Sequence, residues 1–303
     1  MQQPTVIGID LGGTAMKVGQ FLADGTCVNH LTLPTPQPPD WEDVVEQIST
    51  AVQQLDPEQR SGAIGIGTPG PTDASGRIAL LAINLPGWRN VPLADMLEAK
   101  LQRPTVVGND ANCAGLGESW LGAGRHVNNL ILLTLGTGVG GAIILNNELF
   151  TGPYGAAGEL GLITLNPQGD ACNSGNHGSL EQHLCVQAIQ RRTQKTPTEL
   201  AELAQAGDKS ALAFWEKYGQ DLGAGLASLI YVLTPEAIII GGGISASAEF
   251  FLPATWQEIE KRVVMNSRMK LQLLTAELGN QAGMVGAAKL AWEKMRTKDS
   301  HQN

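Results

Sequence analysis

"TVIGIDLGGTAMKVGQFL", residues 5 to 22, reads as a buried strand, a glycine turn and a second strand. A single carboxylate, Asp10, stands at the end of the first strand, and Gly12, Gly13 and Thr14 follow it. Glycines let successive backbone N–H groups face one concavity, which can hold a phosphate without a basic side chain. Asp10 is then placed to hold Mg2+ through water, because that ion keeps several of its own water ligands. A plain hairpin turn fits the same residues, and this stretch alone leaves both readings open.

The pattern continues outward. Asp24-Gly25 closes a further hairpin onto "TCVNHLTL". "PTPQPPD" interrupts the strands, and Asp40 is placed to cap a helix whose Trp41, Val44, Val45, Ile48, Val52 and Leu55 share one face. "SGAIGIGTPGP" is a strand running into a loop, a helix is expected near 92 to 102, and "PTVVG" delivers Asn109 and Asp110. From Asn128 the opening scheme returns as "NNLILLTLG", a turn "TGVGG" and "AIILNNELF". Helices are expected over 180–192, 208–233, 248–265 and 281–296, with strands "AIIIGG" and "LQLLTA" between them. Strands interleaved with helices in both halves predict an α/β protein of two similar lobes, and 303 residues suffice for two cores.

Composition narrows the partners. Twenty Lys+Arg against 29 Asp+Glu give a net charge of −9, and no run of basic residues occurs. That balance argues against a nucleic-acid or anionic-membrane surface, so an anionic ligand must be held by local backbone geometry. Cys27, Cys113, Cys172 and Cys185 have no framework spacing, and the N-terminus has no basic segment leading into an apolar core. Both features point to a reducing cytoplasm. The longest apolar runs are far shorter than a bilayer span.

Two more glycine clusters follow: "LGTGVGGA" at 135–142, with hydroxyls at Thr134 and Thr137, and "IIIGGGIS" at 238–245. Neither fits a P-loop, since no Gly-Lys-Ser/Thr follows. In "GNDAN", residues 108–112, Asp110 stands between an extended run and a helix, where an aspartate serves as an N-cap.

The ordered series "IGIDLGGT", "GTPGPTD", "NLPGW", "NDAN", "LGTGVGGAI", "GAAGELG", "GSLEQ", "IIIGGG" and "AGMVGAA" resembles the ROK sugar kinases, the bacterial glucokinases among them, over nearly the full chain. The resemblance implies a two-lobed, actin-like (ribonuclease-H-like) α/β fold with ATP and sugar in a central cleft. Residues 1–110, completed by a C-terminal helix at about 288–303, would form the small lobe, and 111–287 the large one. Gly12, Gly13, Thr14, Thr137 and Gly138 match phosphate-loop positions, Gly241, Gly242 and Gly243 the nucleoside side, and Asp10 the carboxylate linked to Mg2+.

Asn84, Asn109, Asp110, Glu159 and Glu181 match sugar contacts. Side chains with two adjacent polar atoms can grip two neighbouring hydroxyls, each of them donor and acceptor. Each also has an ordinary alternative: Asn84 and Asn109 as turn residues, Glu159 as a solvated charge, Glu181 in the first turn of a helix. Phosphoryl transfer needs in-line positioning, Mg2+ and an acceptor for the hydroxyl proton, and Asp110 matches that acceptor.

The resemblance also has a break. The family's Gly-Glu-x-Gly-His and Cys-x-Cys-Gly-x-x-Gly-Cys-Leu-Glu segments supply four zinc ligands; here they read "GELGL" and "CNSGNHGSLE". Leu162, Ser174 and Ser179 replace three of the four, and only Cys172 remains, so no structural zinc is expected. The missing histidine is a sugar contact in the family as well.

The expected activity is ATP-dependent phosphorylation of a hexose at its primary hydroxyl, glucose to glucose 6-phosphate, with fructose, mannose or an N-acetylhexosamine as alternative substrates. A sugar-binding regulator without catalysis is the rival class, encouraged by the altered zinc segment. Repressors of the family carry an added N-terminal helix-turn-helix, whereas here the first strand is expected within five residues of Met1. Small molecules are the expected partners, with no nucleic acid and no membrane; a homodimer stays open.

Overall fold

The computed structural model describes residues 3–82 and 85–300. The first half contains β1 (Thr5–Leu11), β2 (Ala15–Phe21), β3 (Cys27–Pro34), α1 (Trp41–Leu55), β4 (Ser61–Thr68), β5 (Ala79–Leu81), β6 (Arg89–Val91), α2 (Leu93–Leu101), β7 (Thr105–Asn109) and α3 (Asp110–Trp120). The second contains β8 (Leu130–Leu135), β9 (Val139–Leu145), β10 (Glu148–Leu149), α4 (Leu180–Leu184), α5 (Val186–Thr193), α6 (Pro197–Gln205), α7 (Lys209–Leu233), β11 (Ala237–Gly241), α8 (Ala248–Arg262), α9 (Met265–Arg268), β12 (Gln272–Thr275) and α10 (Ala282–Ser300).

Each half builds a five-stranded sheet in the same way. The first has the order β3-β2-β1-β4-β7, the second β10-β9-β8-β11-β12. In both, a leading strand pairs antiparallel with its hairpin partner on one side and parallel with later strands on the other. The parallel strands β4 and β11 are almost wholly buried, as their continuous apolar runs require when helices cover both faces.

Asp40 caps α1 as expected, its side chain accepting from Glu42 N. One core lies where α1 and α2 cover the first sheet, around Ile7, Ile9, Ile48, Ile64 and Leu97. The other joins α4, α7 and α8 to the second sheet, with Trp215, Tyr218 and Phe251 fully buried among them.

Between the sheets lie α3 and α10, packed on each other. Their closeness depends on glycine. A β-carbon on Gly65 would lie 1.8 Å from Ala287 O, and one on Gly286 would lie 1.6 Å from Cys113 O. Only hydrogen side chains let these backbones approach so closely.

Two expectations need correction, and one helix is added. The helix expected over 180–192 breaks at Cys185, whose extended backbone ends α4 and whose Sγ caps α5 by accepting from Ala188 N. α6 was not expected, although Thr196 and Glu199 form a reciprocal capping box at its start. The cap of α3 is Asn109, which accepts from Asn112 N, and Asp110 is the first helical residue instead. Asparagine caps as well as aspartate does, so the duty moved by one residue, and Asp110 accepts from Ala111 N through Oδ1.

Candidate active site

The end of β7, the start of α3, the β8–β9 turn and the end of β11 converge on a cavity of about 640 Å3. Asp10, Asn109, Asp110, Thr137, Gly138, Glu159, Glu181, Gly241, Gly242 and Gly243 all line it. Gly12, Gly13 and Thr14 stand outside that lining; Gly12 N bonds Ala15 O in a tight turn, and Gln37 and Thr35 donate to the carbonyls of Gly13 and Gly12. Asn84 lies outside the described residues.

Each carboxylate is placed by the element beneath it. Asp110 extends from the first turn of α3, and its Oδ1 accepts from Ala111 N at 2.8 Å. Burial pushes its pKa up to about 6 against the pull of that N–H, and the negative charges of Asp10 and Glu159 add to the rise. Asn109 beside it is held in place, accepting from Asn112 N and donating one Nδ2 N–H to Gly70 O at 3.0 Å.

Glu159 precedes a single 3-10 turn, Leu160–Leu162, that lies on β9: a β-carbon on Gly161 would come within 2.0 Å of Val139 O. Burial, and then the charge of Glu181, raise its pKa. Glu181 sits on α4, a five-residue helix anchored by the fully buried Leu180 and Leu184 and by Tyr218 Oη donating to Leu184 O. Its Oε2 accepts from Val139 N at 2.9 Å.

On the nucleotide side the β8–β9 turn is closed by Gly136 N bonding Gly138 O. The chain leaves β11 through Gly242 at φ +82°, where a β-carbon would lie 2.3 Å from Leu135 O. That approach seats the third glycine cluster on the second.

Two residues outside the expected set belong to the site. Lys17 pairs directly across from Asp10 in the β1–β2 register, and its Nζ reaches Asp10 Oδ2 at 3.0 Å and Asn280 O at 2.7 Å. Glu118 on α3 is fully buried and accepts from Ala123 N, Glu277 N and Leu278 N, which fixes the segment entering α10. The hairpin register around "LGGT" could have revealed Lys17; nothing local could have revealed Glu118.

The segment around 160–180 is held by polar contacts. Asn176 Nδ2 donates to Leu162 O at 3.0 Å and Thr164 Oγ1 at 2.9 Å, and Leu180 N donates to Ile163 O. Ser179 is buried and caps α4. Burial raises the Cys172 thiol, but hydrogen bonds with Ser174 and Ser179 pull its pKa below the usual value overall. Among the described residues no three His, Cys, Asp or Glu side chains gather as a metal site. No described helix is long and apolar enough to cross a membrane.

A model of the ROK family matches residues 6–294. The chain belongs to the ROK family. The glucokinase of Thermotoga maritima is 31% identical across 97% of this chain and 99% of its own. A ROK hexokinase from Thermus thermophilus superposes with a TM-score of 0.86 at 33% identity, covering 97% of this chain and 99% of that one. A ROK glucokinase from Streptomyces griseus, solved in complex with glucose and AMPPNP, superposes with a TM-score of 0.79 at 34% identity over 95% and 99% of the two chains. The two-lobed α/β kinase fold expected of a ROK chain is the one observed.

Proposed function

We propose that this ROK chain transfers the γ-phosphoryl group of ATP to the primary hydroxyl of a hexose, with glucose as the preferred acceptor, in the cytoplasm. The carrying observation is Asp110: a carboxylate with a pKa of about 6, on the wall of a cavity shared by two glycine loops and by Glu159 and Glu181. The sugar hydroxyl gives its proton to Asp110 as its oxygen forms the new P–O bond, while the bond from the γ-phosphorus to the bridging oxygen breaks and ADP leaves. A base with a pKa just below neutrality is deprotonated at pH 7 and still holds a proton well enough to accept one.

Asn109, Glu159 and Glu181 hold the hydroxyls of the sugar, with Asn84 as a further contact. The N–H groups of Thr137 and Gly138, joined by those of Gly13 and Thr14 on a turn that Gly12 N–H closes on Ala15 O, face the phosphates, and Gly241–Gly243 the nucleoside. Mg2+, when bound, offsets the charge of the phosphates, and Asp10 is the residue to hold it through water. Residues 1–110 with 288–303 form the lobe on the Asp10 side, and 111–287 the other.

The zinc of family relatives does not fit the donors present here. A leucine and two serines stand at three of the four ligand positions, and the Ser179 hydroxyl already caps α4. The same replacement favours a second reading, a sugar sensor without catalysis. A coupled assay of ADP release against glucose, fructose, mannose and N-acetylglucosamine separates the two. Turnover with glucose above the other sugars supports the proposal, and sugar binding without ADP release overturns it.

A further inference from the structure

The acceptor groups around the proposed sugar position outnumber its donors. Asp110, Glu159 and Glu181 only accept when ionised, and one of the two N–H donors of the Asn109 amide already goes to Gly70 O. Leu162, in the turn that follows Glu159, offers no side-chain donor. A bound hexose presents oxygen lone pairs as well as hydroxyl protons, so a further side chain that can both donate and accept would complement these carboxylates.

Asn112 is such a side chain. It stands two residues after Asp110 on α3, is 5% exposed, and lines the same cavity. Its backbone N–H is engaged by Asn109, but among the described residues its side-chain Oδ1 meets no donor. No described residue bonds the rest of that carboxamide either, so the group is unspent whichever way it is turned. A β-carbon on Gly158 would lie 3.6 Å from Oδ1, which places the carboxamide beside the segment that carries Glu159. Asn112 also lines a second cavity, of about 840 Å3. A buried polar group left unpaired is costly, and its retention in a wall of the cleft calls for a ligand.

We infer that Asn112 is a further hydroxyl-binding residue of the sugar site, donating to and accepting from one ring hydroxyl of the hexose. This rests on the hexose-kinase reading above. The orphaned group separates a ligand role from a structural one. If Asn112 serves a ligand, removing its side chain weakens sugar binding and leaves the free protein at least as stable; if it serves the fold, stability falls.

The test compares wild type with Asn112→Ala and Asn112→Asp by calorimetry with glucose, with the 2-, 3- and 4-deoxyglucoses and with ATP, and by thermal melting without ligand. Asn112→Ala should bind glucose about tenfold more weakly, the scale of one lost hydrogen bond, bind ATP as wild type does, and melt no lower. One deoxyglucose should lose no further affinity in the variant, which identifies the hydroxyl. Asn112→Asp, which keeps the acceptor and loses the donor, should also weaken glucose. Unchanged glucose affinity in Asn112→Ala, an equal loss with every deoxyglucose, or a lowered melting temperature with both ligands weakened together would overturn the inference. Wild-type protein that binds no hexose at all would overturn the kinase reading as well, so the two failures are distinguishable.

Discussion

Glu181 Oε2 accepts a hydrogen bond from the backbone N–H of Val139 at 2.9 Å, which joins a proposed sugar ligand to the proposed phosphate loop. Gly138 makes this possible: a β-carbon there would stand 2.6 Å from the same oxygen. Its φ lies outside the left-handed region, so the glycine serves space rather than backbone freedom. From the sequence, phosphate approach was the expected reason for glycine at 138, and the structure adds a carboxylate on its other side. Gly138→Ala should therefore displace Glu181 and raise KM for glucose more than KM for ATP. Equal KM for glucose in variant and wild type would count against it.

The raised pKa of Asp110 has two measurable consequences. As a base it must be deprotonated, so kcat/KM for glucose should fall about tenfold per pH unit below pH 6. Asp110→Asn, nearly isosteric, should lower turnover at least roughly a hundredfold and abolish that limb of the profile. Near wild-type turnover in this variant would remove Asp110 from the role.

Stability should move the opposite way. Between the ordinary 3.8 and about 6 the folded chain holds more protons at Asp110 than the unfolded chain does, so this residue's contribution falls as pH rises through that window. Above it the ionised group costs the free protein at most about 3 kcal/mol. Asp110→Asn should raise the melting temperature at pH 8 and leave it unchanged at pH 4. An increase of the same size at both pH values would rule out this electrostatic origin.

Gly65 carries the packing of α10 on the first sheet. An added methyl would meet Ala287 O at 1.8 Å, a backbone atom fixed inside a helix. At Gly67, two residues along the same strand, the nearest atom is Cys113 Sγ at 3.2 Å. Gly65→Ala should cost several kcal/mol and yield little folded protein, whereas Gly67→Ala should cost about 1 kcal/mol, on the scale of mild overpacking. Chemical denaturation of both variants gives the comparison, and similar midpoints would refute this account of the interface.

The parts of the fold legible in the sequence were those decided locally. Asp24-Gly25 turns a hairpin and Asp40 caps α1 within a few residues of themselves. The two sheets could be anticipated because the strand, glycine turn, strand scheme occurs twice. Cys185 gave no such signal: it breaks an amphipathic run in which Leu184 and Ile189 both reach the core against the second sheet, and no proline or glycine marks the place. That Asp110, Glu159 and Glu181 share one cavity was legible through the motifs around them. Lys17 needed the β-register, Glu118 a contact 160 residues away, and Asn112 the sight of a buried carboxamide oxygen without a partner among the described residues.

The segment between Glu159 and Glu181 should hold its shape without metal. Its two ends carry proposed sugar ligands, so whatever ties them together also sets the spacing of those carboxylates. Asn176 is that tie: its carboxamide donates to Leu162 O and Thr164 Oγ1 and accepts from His177 N at 2.8 Å, bridging the turn after Glu159 to the loop before Glu181. Hydrogen bonds of this kind contribute about 1 kcal/mol each, so Asn176→Ala should cost about 2 kcal/mol. It should raise KM for glucose while leaving KM for ATP unchanged, because the β8–β9 turn closes on itself through Gly136 and Gly138. Wild-type protein should contain no stoichiometric zinc by elemental analysis, and a chelator should leave its melting temperature unchanged. One tightly bound zinc per chain would refute the metal-free tie. Absence of zinc with an unaltered glucose KM in Asn176→Ala would instead show that the main-chain bonds, Leu180 N to Ile163 O among them, suffice to hold the two carboxylates.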